Sequence, residues 1–146
     1  MTKRICLFSF LLVLFLTGTA LADRVAVIVD RANVRSGPGT DHDILWTVGK
    51  YYPMEVIKES GEWYKGRDFE GDVGWIFHSL VKEVSAVVVT APLVNIRKGA
   101  GTEYRVMFQA EKGVSFKVLA ARENWIKIEH ADGEVGWIHK SLVWGR

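Results

Sequence analysis

Apolar residues past position 22 come in short β-branched or aromatic runs broken by polar and glycine-rich stretches, and none recurs at the spacing of a helix longer than a turn. Val25-Ala-Val-Ile-Val29 and Ala86-Val-Val-Val-Thr90 read as strands. Further strands are expected at Ile44–Val48, Met54–Lys58, Trp63–Arg67, Val73–Ile76 and Phe116–Ala120, with hairpin turns at Glu59-Ser-Gly-Glu62 and Gly71-Asp72. Alternation is clearest in Trp125-Ile-Lys-Ile-Glu129. Successive strand side chains point to opposite faces, so Ile126 and Ile128 should face a core and Trp125 and Lys127 the outside. By the same rule Val34 and Ile96 point inward, and the flanking Asn33, Arg35, Asn95 and Arg97 point outward.

The pattern repeats. Shifted by 62 positions, Asn33-Val-Arg-x-Gly-x-Gly-Thr40 falls on Asn95-Ile-Arg-x-Gly-x-Gly-Thr102, and Val73-Gly-Trp-Ile76 falls on Val135-Gly-Trp-Ile138. Residues 33–81 and 95–143 align without a gap and share 17 identities in 49 positions, so the chain is a tandem duplication. Several short strands per copy, spaced by glycine turns, predict an all-β protein of two small antiparallel barrels. The paired glycines of Ser36-Gly-Pro-Gly39 and Lys98-Gly-Ala-Gly101 are expected to supply positive φ in a tight turn. Gly66 stands where Ile128 packs, and Phe69, in place of Ala131, is expected to fill the gap.

The order Asn-Val-Arg-x-Gly-x-Gly-Thr, Trp-x-Lys, then Gly-Trp-Ile-x-x-Ser-Leu resembles the bacterial Src-homology-3-like (SH3b) domain, in both copies. The resemblance implies two tandem SH3-like barrels, residues 23–82 and 87–146, joined by a linker at 83–86. It says far less about function, because one small barrel hosts many unrelated tasks. Copies of about 58 residues are marginal alone, and the linker is short enough that the two are expected to touch.

Ahead of the repeat, Lys3-Arg4 precede an apolar run from Ile5 to Leu16, followed by small residues at Ala20 and Ala22. This predicts a signal peptide over residues 1–22, cleaved after Ala22, and hence an exported protein, periplasmic or secreted. The run falls short of the roughly 20 apolar residues of a spanning helix, so no stable membrane insertion is expected after cleavage. Cys6, the only cysteine, lies inside it, which leaves residues 23–146 without disulfides, thiolate ligands or a cysteine nucleophile.

The formal net charge of +2 comes from Lys3 and Arg4, since 19 − 2 = 17 basic residues then balance 17 acidic ones. Basicity is therefore no sign of a nucleic-acid partner, and none is expected. Residues 25–82 carry 7 basic and 9 acidic groups and residues 87–146 carry 9 and 6, which would favour an anionic ligand at the second copy.

Trp63, Trp125, Trp75 and Trp137 are the leading ligand-binding candidates, because indole offers a flat apolar face and one N–H donor. Packing as barrel core is the alternative, and it weighs more on Trp75 and Trp137, which alternate with Val73 and Val135 rather than with lysine. Arg35 and Arg97 could fork onto a peptide carboxylate or pair with a strand carboxylate. Asn33 and Asn95 could contact ligand or bond the turn backbone. Asp41-His-Asp43 has the donor types of a metal patch, but its counterpart is Glu103-Tyr-Arg105 and no histidine is duplicated, so neither metal nor cofactor is expected. No nucleophile-elbow, phosphate-loop or zinc-protease spacing occurs, and two minimal barrels absorb residues 23–146. A non-catalytic binding module is expected. Resemblance to cell-wall targeting domains points to peptidoglycan peptide as the ligand. The alternative is a periplasmic adaptor that binds an envelope protein.

Overall fold

The computed structural model describes residues 23–146, and the predicted signal peptide, residues 1–22, lies outside them. Strands form on the β-branched and aromatic runs. The first copy holds β1 Arg24–Val27, β2 Arg31–Arg35, β3 Ile44–Gly49, β4 Pro53–Ser60, β5 Trp63–Arg67, β6 Val73–Phe77 and β7 Val81–Lys82. The second holds β8 Ala86–Val89, β9 Leu93–Arg97, β10 Val106–Glu111, β11 Ser115–Arg122, β12 Trp125–Glu129, β13 Val135–His139 and β14 Val143–Gly145. Each copy forms one antiparallel seven-stranded sheet, ordered β3-β2-β6-β5-β4-β1-β7 and β10-β9-β13-β12-β11-β8-β14. Among the described residues the helical pieces are two three-residue 3-10 turns, His78–Leu80 and Lys140–Leu142.

The inward faces follow the alternation of β2, β5, β9 and β12: Val34, Ile96, Ile126 and Ile128 are all buried. One expectation is corrected. The space over Gly66 is filled by Met54, whose Cε would lie 2.7 Å from a Cβ placed there, and not by Phe69. The second copy puts Phe116 and Ile128 at these two positions, trading a flexible thioether over glycine for a ring against a branched chain. Phe69 is only partly buried and meets Tyr52 edge-on, with centroids 6.4 Å apart.

Strict alternation fails where the register shifts. Leu45 is the extra residue of β3 between the pairs Val34↔Trp46 and Arg35↔Ile44, and Ile57 is extra in β4 between Val56↔Gly66 and Lys58↔Lys65. Met107 and Leu119 repeat both bulges in the second copy. An unpaired bulge residue bends its strand, and all four apolar side chains are exposed.

At two of the turns that need a left-handed residue, the copies solve the need oppositely. At the β4–β5 hairpin, Gly61 has φ 56° while its counterpart Glu123 has φ 51°; before β4 and β11, Tyr51 has φ 68° and Gly113 has φ 90°. A side chain at such φ costs free energy that glycine avoids. Glu123→Gly is therefore expected to raise the unfolding free energy by about 0.5–1 kcal/mol in urea titrations.

The two barrels pack on each other. Every residue of β8 is buried because this strand is shared: Val87 and Val89 belong to the core of the second barrel, and Val88 enters the core of the first, where Trp144 also packs. Polar contacts surround this seam. Ser115 Oγ donates to the Lys50 carbonyl at 2.9 Å, and Arg24 donates to the Gly145 carbonyl at 3.1 Å while lying 5.2 Å over the Trp144 ring. Lys112 pairs with Glu70 at 3.4 Å and sits 5.8 Å over Phe69.

At one end of the first barrel the Tyr52 hydroxyl donates to Asp68 Oδ2 at 3.1 Å, and Asp68 Oδ1 accepts from the Glu70 and Asp72 amides. Burial first, and the Asp68 carboxylate second, hold the Tyr52 phenol well above its ordinary pKa of 10.0. The folded state thus binds this proton more tightly than the unfolded chain, so the contribution is intact below pH 10 and lost as pH rises beyond it. The unfolding free energy is expected to fall from about pH 10 upward, and Tyr52→Phe to flatten that fall.

Candidate functional site: an aromatic groove in each barrel

Each barrel carries a groove beside its β2–β3 or β9–β10 loop. In the first, β2 presents Arg31, Asn33 and Arg35 along one strand face, since Ala32 and Val34 between them are buried in the core. Trp63 of β5 stands directly across from Phe77 of β6, and their rings meet edge-on at 5.4 Å. Leu80 comes from the 3-10 turn, Glu62 from the β4–β5 hairpin, and Gly39, Thr40 and Asp41 from the β2–β3 loop. The groove is open to solvent and has a volume of about 590 Å³.

The second groove, of about 240 Å³, repeats the arrangement with Asn95, Arg97, Thr102, Trp125 and Leu142 at the same positions. Leu93, Val94 and His139 replace Arg31, Ala32 and Phe77, and Trp125 meets His139 edge-on at 5.3 Å. The surplus of basic residues in this copy does not reach the groove, where Arg97 is the one cation in the lining.

The shared motif builds the groove wall. Arg35 Nη1 donates to the carbonyls of Thr40 and His42 at 3.1 and 2.9 Å, and Arg97 Nη1 makes the same bonds to Thr102 and Tyr104. Each arginine therefore clamps its loop to the strand instead of pairing with a strand carboxylate, and its Nε and Nη2 make no side-chain hydrogen bond among the described residues. The loop glycines are corrected as well: neither Gly37 nor Gly39, nor Gly99 or Gly101, has positive φ. They are needed for close approach, since a Cβ on Gly37 would sit 2.5 Å from the His42 ring and one on Gly99 2.6 Å from the Tyr104 ring. Asn95 Oδ1 accepts from Gln109 Nε2 across the strand pair at 2.9 Å and does not cap the turn backbone.

Of the eight predicted site residues, the structure brings Trp63, Arg35 and Asn33 together in one groove and Trp125, Arg97 and Asn95 in the other. Trp75 and Trp137 line neither. In register Trp75 lies opposite Lys65 and Arg35 and is 9% exposed, and Trp137 lies opposite Lys127 and Arg97, half-buried. Arg31 and Glu62 also line the first groove, and neither is singled out by the repeated motif.

Apart from the grooves, His130, Asp132 and Glu134 bring one ligand atom each within 4.8 Å of one another. His130 Nδ1 lies 2.9 Å from Asp132 Oδ1, and Oδ1 also accepts from the Glu134 amide. That amide and the His130 ring hold the Asp132 carboxyl below its ordinary range, and the contacts describe a turn closed on itself.

Tandem antiparallel barrels with a loop-clamping arginine and an aromatic pair define an SH3-like fold, and the chain belongs to the bacterial SH3 domain family, whose model matches residues 29–83 and 90–145. Among curated proteins it is 31% identical over 140 residues to the Bacillus subtilis (strain 168) protein named "Putative N-acetylmuramoyl-L-alanine amidase YrvJ", covering 88% of this chain and 27% of that protein. It is also 31% identical over 64 residues to the Staphylococcus epidermidis "Probable cell wall amidase LytH", covering 43% of this chain and 22% of that protein. The chain thus spans about a quarter of the length of these relatives. A solved structure of an NlpC/P60 family protein from Bacillus cereus aligns over 84% of this chain and 56% of that one, at 12% identity and a TM-score of 0.39.

Proposed function

We propose that the protein is a non-catalytic, exported binding protein of the bacterial cell envelope whose grooves hold peptidoglycan peptide. The carrying observation is the duplicated groove: an indole, an outward arginine with free donors and an asparagine converge at the same place in both barrels. An indole face packs on the backbone and methyl groups of a short peptide, while a guanidinium fork takes a carboxylate. That combination fits wall peptide, which carries free carboxylates at close intervals. The names of the two curated relatives point to the same polymer, and the segments this chain matches are the minor part of each.

Two grooves on one packed body would gain affinity on a polymer, where the second contact is effectively intramolecular. Purified insoluble peptidoglycan is expected to pull the protein into the pellet at both low and high salt, because stacking on Trp63 and Trp125 is not screened as surface charge is. Dye-labelled peptidoglycan is expected to release no dye above background. Protein left in the supernatant at every salt concentration would overturn wall binding, and steady dye release would overturn the non-catalytic reading.

A further inference from the structure

The two grooves share a framework but differ at one end, and the difference is ionic. Arg31 and Glu62 border the first groove; the positions they occupy hold Leu93 and Asn124 in the second copy. We infer that the first groove is the charge-reading one, binding a peptide that carries both a free carboxylate and a free ammonium, while the second accepts an uncharged stretch. This deepens the wall-peptide reading and rests on it.

Geometry separates the roles of the two arginines in the first groove. Arg31 and Arg35 lie four residues apart on one strand face, about 13 Å along β2 at 3.3 Å per residue, with Asn33 midway. Arg35 already spends Nη1 on two loop carbonyls. Arg31 is exposed, makes neither a side-chain hydrogen bond nor an ion pair among the described residues, and so presents a complete guanidinium fork.

Glu62 is fixed from behind. Its carbonyl accepts from the His78 amide and contacts His78 Nδ1 at 2.9 Å, which sets the hairpin beside the 3-10 turn and leaves the carboxylate exposed next to Trp63. Arg31 and Glu62 thus border one cavity without closing on each other. A carboxylate and an ammonium on one ligand would satisfy both at once, with Trp63 and Phe77 holding the apolar part between them.

The second groove lacks this pair. Leu93 is 55% exposed at the place of Arg31, and Arg97, the remaining cation of the lining, has its Nη1 committed to the loop. An uncharged amide stretch brings no ammonium there, whereas the ammonium of a zwitterionic one would be desolvated with no carboxylate in the lining to meet it.

The test is calorimetric titration with a synthetic wall-type peptide, N-acetyl-L-Ala-D-isoGln-L-Lys-D-Ala, which bears one ammonium and one carboxylate. Two capped forms accompany it, one with the lysine amine acetylated and one with the terminal carboxylate amidated. With the second groove silenced by Trp125→Ala, each cap is expected to weaken binding by about tenfold or more, the loss of a charged hydrogen-bond partner. Replacing Arg31→Leu with Glu62→Asn gives the first groove the second copy's residues at these two positions and should make all three peptides bind alike. Leu93→Arg with Asn124→Glu, in a Trp63→Ala background, should transfer the sensitivity to the second groove. Equal affinity of the first groove for all three peptides overturns the inference while leaving wall-peptide binding in place. Failure of every peptide to bind either groove overturns both.

Discussion

Replacing Trp63 and Trp125 together by alanine is expected to abolish pelleting with peptidoglycan, and either single replacement to weaken it by about 100-fold. Each indole is half-buried against its partner ring and is the largest side chain lining its groove, so truncation removes the largest apolar contact a ligand can make there. Loss of a central aromatic anchor costs roughly 2 kcal/mol or more, about 30-fold at one site. The single variants should lose more than that, because the remaining groove then binds without a tethered second contact. Neither indole belongs to a barrel core, so the variants should unfold near the wild-type denaturant midpoint. Trp75→Phe and Trp137→Phe, outside both grooves, are expected to leave pelleting unchanged.

Phe116→Ala should produce the largest loss of stability, about 3–5 kcal/mol, a large share of the 5–15 kcal/mol typical of a domain. The ring has no solvent exposure, packs 6.5 Å from Phe108 and meets His130 edge-on at 5.6 Å. Its strand β11 pairs with β8 through Ser115↔Val88 and Phe116↔Val87, and β8 in turn sends Val88 into the core of the first barrel. A cavity at Phe116 therefore loosens the strand that both cores share. Tryptophan fluorescence and far-ultraviolet circular dichroism should report one urea transition, shifted to lower urea. Two separated transitions would contradict a shared core.

Where the chain alternates cleanly, its fold was legible. In β5 and β12 the period of two and the comparison of copies placed Trp63 and Trp125 outward and Ile126 and Ile128 inward. Bulges defeated the same rule in β3 and β4, because an inserted residue such as Leu45 or Ile57 resets the phase without changing composition. The valine run of β8 gave a strand but not its two-sidedness, which depends on where the other barrel sits. The loop glycines invited a φ argument, yet the cause is the aromatic ring at His42 or Tyr104 folding back over them, a contact that spacing alone does not show.

The candidate site was legible in its shared half only. Comparing copies selects what they have in common, and so it found Asn33, Arg35 and Trp63 with their counterparts. It is blind to what distinguishes them, and Arg31 and Glu62 are such residues. It also promoted Trp75 and Trp137, whose identity in both copies accompanies packing between Arg35 and Lys65, or Arg97 and Lys127, rather than a place in the groove.

The most direct measurement is a nuclear magnetic resonance titration of the six indole N–H signals with soluble peptidoglycan fragments, each assigned by single substitution. Binding in the grooves predicts that the signals of Trp63 and Trp125 move with added fragment while those of Trp46, Trp75, Trp137 and Trp144 stay. Movement confined to those four, or no movement at all, would contradict the groove as the binding site.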